Sequence, residues 1–123
     1  DVTVVANGLM VKRALEAAEQ LAGEGIEVEV VDPRTVAPMD YDTIYESVRK
    51  THYVVVAEEG NMTNGVGAEL AARIQGDCFY DLDAPVKRVA ALDLPIPYNV
   101  ELEIEIIPSV EDIVQAVRET LNK

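Results

Sequence analysis

Apolar and polar positions along this chain switch between a period near two and a period near four, and the switches mark out its elements. Val2 to Asn7 is a short β-rich run closed by Asn7-Gly8, and Leu9 to Ala22 then repeats apolar residues at helical spacing. Leu15, Ala18, Leu21 and Ala22 are expected on the buried face of that helix, with Lys12, Arg13, Glu16 and Glu19 largely elsewhere. Gly23 and Gly25 stop it, and Ile26 to Val31 resumes strand character, so the opening third reads as a right-handed βαβ unit. Asp32-Pro33-Arg34-Thr35 ends the second strand, because proline cannot extend a ladder and biases the preceding residue away from helix. Asp40 is suited to cap a helix from Tyr41 to Lys50 whose apolar face is Ile44, Tyr45 and Val48. Tyr53 to Ala57 reads as a third strand, Gly67 to Ile74 as a third helix and Val86 to Leu92 as a fourth strand. Glu101 to Ile106 alternates acid and aliphatic residues, the signature of a half-buried fifth strand or an extended arm. Ser109 then caps a last helix with Glu111 and Asp112 in its first turn and Ile113, Val114, Val117 and Leu121 facing inward.

This order implies an α/β fold, a three-layer α/β/α sandwich around a mainly parallel five-stranded sheet. The 123 residues fit one domain. Hydrophobic residues make up 49% of them, yet no run approaches the ~20 apolar positions of a membrane span. With no initiating methionine and no leader pattern, Asp1 is expected to be a cut end inside a longer polypeptide. Ten basic against twenty-three acidic residues give a net charge of −13, which opposes nucleic acid and anionic membranes and favours a basic protein partner or simply a soluble surface. A lone cysteine, Cys78, makes no internal disulfide and reads as a packed side chain in a reducing compartment.

Candidate chemistry concentrates in residues 53–67, where a buried strand runs into Glu58-Glu59 and a glycine-rich turn. Loops at the carboxyl ends of parallel strands, followed by a helix N-terminus, are where such folds usually meet ligands. Glu59, Gly60, Asn61, Gly65 and Gly67 are therefore the candidate loop residues. Leu70 stands where a dinucleotide fingerprint needs a small residue, and two carboxylates repel a pyrophosphate, so the turn reads as a turn. Adjacent strand residues point to opposite faces, so at most one of Glu58 and Glu59 faces a common site. His52, the only histidine, falls at the opposite end of the third strand, with no serine or cysteine motif to serve, and reads as structural. Asp32 with Arg34 reads as a loop-fixing ion pair. Asp77, Asp81, Asp83 and Asp93 lack calcium-loop spacing and form either a docking surface or a solvated face. No catalytic, cofactor-binding or metal-ligating residue emerges.

Five segments taken together carry a resemblance: Asp1 to Gly8, Val31-Asp32-Pro33-Arg34-Thr35, Gly65 to Ile74, Leu82-Asp83-Ala84-Pro85-Val86-Lys87-Arg88-Val89 and Leu94-Pro95-Ile96-Pro97-Tyr98. The chain resembles the transketolase-type carboxy-terminal domain of the beta chain of the thiamine-diphosphate-dependent first component of 2-oxo acid dehydrogenase complexes, in particular the pyruvate branch. The resemblance implies a mixed sheet with one antiparallel edge strand. It also implies that thiamine diphosphate and magnesium are held by other parts of the parent enzyme, and the chain has no Gly-Asp-Gly…Asn-Asn motif to hold them. The parent would decarboxylate pyruvate and reductively acetylate a lipoyl group, in the cytoplasm of a prokaryote or in a mitochondrial matrix or plastid. Implied partners are an alpha subunit, a second beta subunit and the basic peripheral subunit-binding domain of dihydrolipoyl acyltransferase. For the last of these, the resemblance assigns Asp83 and the carboxylate of Lys123 as anchors of a partner arginine, although the family commonly ends in an apolar or aromatic residue. The same domain of an acetoin or branched-chain dehydrogenase, or a free-standing small-molecule-binding α/β module, remain the alternatives.

Overall fold

Alternation in the first strand sets up the two sides of the molecule: Val2, Val4 and Ala6 enter one apolar cluster and Val5 enters the other. The computed structural model describes residues 1–122, and Lys123 lies outside the described residues. Its elements are β1 (Val2–Ala6), α1 (Leu9–Ala22), β2 (Val28–Val31), α2 (Tyr41–Thr51), β3 (Val54–Asn61), α3 (Val66–Asp77), a single 3-10 turn (Phe79–Asp81), β4 (Lys87–Ala91), α4 (Val100–Ile106) and α5 (Val110–Leu121). The sheet order is β2-β1-β3-β4 and every pairing is parallel. Strand order therefore reverses between β1 and β3, the position at which doubly wound sheets open a crevice.

Helices α1 and α5 cover one face through Met10, Ala14, Ala17, Leu21, Ile113, Val114 and Val117. Helices α2 and α3 cover the other through Ile44, Val48, Leu70 and Ile74, with Cys78 packed beside them. Burial pushes the Cys78 thiol above its ordinary pKa, which favours the protonated form. On the α2 side the buried Thr3 hydroxyl is satisfied by those of Ser47 and Thr51, each at 2.7 Å. Tyr45 joins α2 to α3 by donating to Asp77 at 2.5 Å, and burial followed by that hydrogen bond pushes its phenol up to about 12.

The three-layer α/β/α architecture is as expected, but the sheet has four described strands rather than five, and none of them is antiparallel. Glu101 to Ile106, expected as the fifth strand, belongs to helix α4. The Asn99 side chain accepts from the amides of Glu101 and Leu102 and so nucleates a turn, while Pro108 closes the segment two residues past its end. Two other expectations also change. Leu15 and Ala22 lie on the exposed side of α1, whose buried stripe is set by Met10, Ala14, Ala17 and Leu21. Strand β3 runs past Ala57 to Asn61, with an irregular register opposite β4, and α3 begins one residue earlier than Gly67 and continues to Asp77.

Candidate functional site

The candidate residues divide between the two ends of the sheet. Glu59, Gly60, Asn61 and Gly65 line an open depression of about 620 Å³ at the carboxyl ends of β1 and β3, together with Asn7 and Gly8, and Gly67 is buried in the first turn of α3 behind it. Asp83 sits at the amino end of β4, where its amide donates to the His52 carbonyl at 3.0 Å.

At the carboxyl end the pleat of β3 sends Glu58 toward α3 and Glu59 toward α1, as alternation requires. Glu58 is only 5% exposed. Its Oε2 accepts the Gly67 amide at 2.6 Å, and its Oε1 accepts from Arg88 Nη2 at 3.1 Å. Arg88 also donates to the Met62 carbonyl at 2.6 Å, so β4, the loop and the first turn of α3 meet on one carboxylate. This explains the glycine spacing. A Cβ on Gly65 would lie 2.2 Å from Glu58 Oε1 and 2.6 Å from the Asn61 carbonyl, so the loop closes only without a side chain there.

Glu59 performs the matching task on the other face. Its Oε2 accepts the Leu9 amide at 3.0 Å, at the N-terminus of α1. Gly8, which precedes that helix, has φ +58°, and a Cβ on it would meet Glu59 Oε2 at 2.4 Å. Two neighbouring acids thus cap two helices on opposite faces, each placing negative charge where the helix dipole favours it. Asn61 extends the stitching by donating to the carbonyls of Leu92 and Leu94 at 2.5 and 2.9 Å. Thr63 binds Asp93 through its amide at 2.8 Å and its hydroxyl at 2.6 Å, and these bonds hold the Asp93 carboxyl below the usual range.

These residues do not fit a diphosphate. The N-termini of α1 and α3, the natural anion positions beside this depression, already carry the carboxylates of Glu59 and Glu58. Among the described residues no group of three or more His, Cys, Asp or Glu is arranged to hold a metal ion. No helix among them is long and apolar enough to cross a membrane.

At the amino end, His52 adopts a left-handed conformation at the end of α2 and clips the following segment. Its Nδ1 lies 2.7 Å from the Asp81 carbonyl and its own carbonyl accepts from Asp83. Asp81 pairs with Arg49 at 3.6 Å and Asp77 with Arg73 at 3.5 Å. The Asp83 side chain is exposed and its carboxylate makes no hydrogen bond or ion pair among the described residues. Lys123, the second expected anchor, lies outside the described residues.

Sequence reasoning missed Arg88, Thr63 with Asp93, and the exposed aromatic pair Phe79 and Tyr80. A basic Lys87-Arg88 pair opening an otherwise apolar strand was the available signal for Arg88. Also unforeseen was the stretch after β4, in which Leu92, Leu94, Ile96, Tyr98, Val100, Leu102 and Ile104 are all exposed. The expected Asp32 and Arg34 pair is present at 3.3 Å, and Asp32 also accepts the Arg34 amide at 2.9 Å.

Residues 1–113 match the family model described as transketolase, C-terminal domain. The chain is 48% identical over 122 residues to the mitochondrial pyruvate dehydrogenase E1 component subunit beta of Drosophila melanogaster, covering 98% of this chain and 33% of that protein. It is 45% identical over 117 residues to the corresponding subunit of Rickettsia conorii, covering 95% of this chain and 36% of that protein. Among solved structures, a split-gene transketolase described as an inactive beta4 tetramer superposes with a TM-score of 0.84 at 36% identity, over 99% of this chain and 38% of that one. The chain thus spans about a third of the length of the curated relatives it matches.

Proposed function

The chain belongs to the transketolase carboxy-terminal domain family, and from that premise we propose that it is the assembly and partner-docking domain of a pyruvate dehydrogenase beta subunit. The parent enzyme carries out thiamine-diphosphate-dependent oxidative decarboxylation of pyruvate and reductive acetylation of lipoyl groups, with cofactor and magnesium held outside this domain. Relatives of the same name occur in mitochondria and in a bacterium, which supports a mitochondrial matrix or bacterial cytoplasmic setting.

Two surfaces divide the work. The stretch from Leu92 to Ile104, with seven exposed large apolar side chains, is the face for the alpha subunit and a second beta subunit, since apolar surface left open in this way marks an interaction site. Asp83 is the anchor for the basic subunit-binding domain of dihydrolipoyl acyltransferase. The observation that carries this reading is the Asp83 carboxylate itself, uncommitted among the described residues yet carried on a backbone pinned to His52. The −13 charge adds long-range attraction for a basic partner.

The test is binding of that basic domain to the assembled parent enzyme. Truncating one member of a desolvated, charge-assisted pair costs several kcal/mol, whereas a distant surface acid mainly alters association rate. Asp83→Ala is expected to weaken binding by ~2 kcal/mol or more through faster dissociation, while Glu103→Gln slows association slightly and loses even that effect in high salt. Equal and small effects from both would reject Asp83 as an anchor.

A further inference from the structure

Building on the assembly role given to the Leu92 to Ile104 stretch, we infer that it is an arm seating a second copy of this chain, and that Val100–Ile106 gives up its helix for an extended strand when that copy arrives. Every even position from Leu92 to Ile106 is apolar, while the odd positions between them carry only Asp, Pro, Asn and Glu. Alternation of that length puts all the apolar side chains on one face of an extended segment and all the acids on the other. In the structure no residue from Leu92 to Ile106 is buried, and seven of the apolar side chains are exposed.

Helix α4 cannot use this pattern. At about 100° per residue, Val100 and Ile104 fall on one side of it and Leu102 and Ile106 on the other, with acids between them. It buries none of its seven residues, and a helix that short has little stability of its own. Val100, Ile104 and Ile106 are β-branched, Glu101 and Glu105 repel each other one turn apart, and Glu105 stands at the negative end of the helix dipole. What starts the helix is the Asn99 side chain on the amides of Glu101 and Leu102. The base of the arm is fixed independently of it: Asn61 donates to the Leu92 and Leu94 carbonyls, Leu92 donates to the Ile106 carbonyl at 3.2 Å, and Ile107 and Pro108 are buried. Unwinding α4 therefore leaves the attachment intact and carries the segment away from the body of the domain, since a strand rises about 3.3 Å per residue and a helix about 1.5 Å.

The occupant follows from the face. The apolar side of the extended arm bears no charge and its acids look outward to water, so a like-charged second copy meets no carboxylate across the contact. A face that is apolar along its whole length is complementary to itself, as a two-fold contact requires. Seven exposed side chains at roughly 100 Å² each offer about 700 Å² per copy, close to the ~800 Å² per partner of a stable interface. A basic partner would instead need the acids on the contact side.

The experiment introduces Glu101→Cys, Leu102→Cys, Glu103→Cys, Ile104→Cys and Glu105→Cys one at a time into the assembled parent enzyme, in which the native Cys78 is a buried background. Each variant is treated with a maleimide to measure its rate of modification, and with a bis-maleimide spanning about 10 Å, the spacing of two packed sheet faces. Leu102→Cys and Ile104→Cys are expected to react about tenfold more slowly than the three glutamate variants, and Leu102→Cys to link two copies of the chain. Slow reaction of Glu103→Cys and Ile104→Cys against fast reaction of the other three is the helical pattern and would overturn the strand. The expected alternation without any link between copies would mean that the alpha subunit covers the arm, overturning the second copy while the assembly role stands. Fast reaction at all five positions would remove the assembly role and this inference together.

Discussion

Glu58 and Glu59 at one end of this sheet and Asp83 at the other are handled in opposite ways. At the carboxyl end, where folds of this layout usually receive ligands, Glu58 and Glu59 turn inward and cap α3 and α1, and Asn61, Thr63 and Asp93 bind the neighbouring loops together. At the amino end, the backbone around Asp81 and Asp83 is tied to His52 while the Asp83 carboxylate and the Tyr80 ring face outward. Carboxylates thus serve cohesion at the carboxyl end, and Asp77 and Asp81 do so at the amino end, while Asp83 makes no side-chain hydrogen bond or ion pair among the described residues. A glycine-rich turn before a helix accordingly signals an anion site only when no carboxylate of the chain itself occupies the helix N-terminus.

This contrast is sharpest in adjacent residues. Removing the Glu58 carboxylate strands a half-buried Arg88 guanidinium and an amide at the start of α3. Glu58→Ala is expected to destabilise the protein by about 3 kcal/mol, in the range seen when one partner of a buried ion pair is removed. Gly65→Ala comes next, at about 2 kcal/mol, because its methyl group overlaps both Glu58 and the Asn61 carbonyl. Glu59→Gln retains an acceptor for the Leu9 amide in a more exposed setting and is expected to cost about 1 kcal/mol or less. Denaturant titration of the three variants checks the order. Equal losses at Glu58 and Glu59 would break the account of the carboxyl end.

Much of this was legible in local pattern. Asp40 and Ser109 cap helices as their positions suggest, the latter in a full capping box with Asp112. Alternation alone separated Glu58 from Glu59. What the sequence hid depended on partners far along the chain. The Gly65 and Gly67 spacing makes sense only beside Glu58 and Arg88, the latter thirty residues further on than the former. The alternating acids and aliphatics of Glu101 to Ile106 read as a strand because the pattern ignores Asn99, whose side chain starts a helix instead. Leu15 misled because the contact stripe of α1 runs through Met10, Ala14, Ala17 and Leu21, which leaves the neighbouring leucine on the exposed side.

A smaller effect separates the two ends by pH. Thr63 holds the Asp93 carboxyl below its ordinary value, so the ionised form is favoured by folding. That contribution is complete above the unfolded carboxyl value near 4 and is lost as pH falls through the lower folded value. Asp93→Asn is expected to be less stable than the unaltered protein at neutral pH, with the difference shrinking on acidification, as thermal unfolding at several pH values would reveal. A constant difference would mean that ionisation plays no part in this stitch. Asp83→Ala marks the lower limit of the series, with a stability change within about 0.5 kcal/mol, because its exposed carboxylate makes no hydrogen bond or ion pair among the described residues. A larger loss would place Asp83 among the cohesive acids and remove the contrast.

Hydrogen exchange of the assembled parent enzyme, with and without the basic subunit-binding domain, tests the division most directly. Protection is predicted across residues 77–86, where Asp83 and Tyr80 are presented, with no change across residues 58–67, where the carboxylates are already used. Protection of the glycine-rich loop with none at residues 77–86 would contradict it.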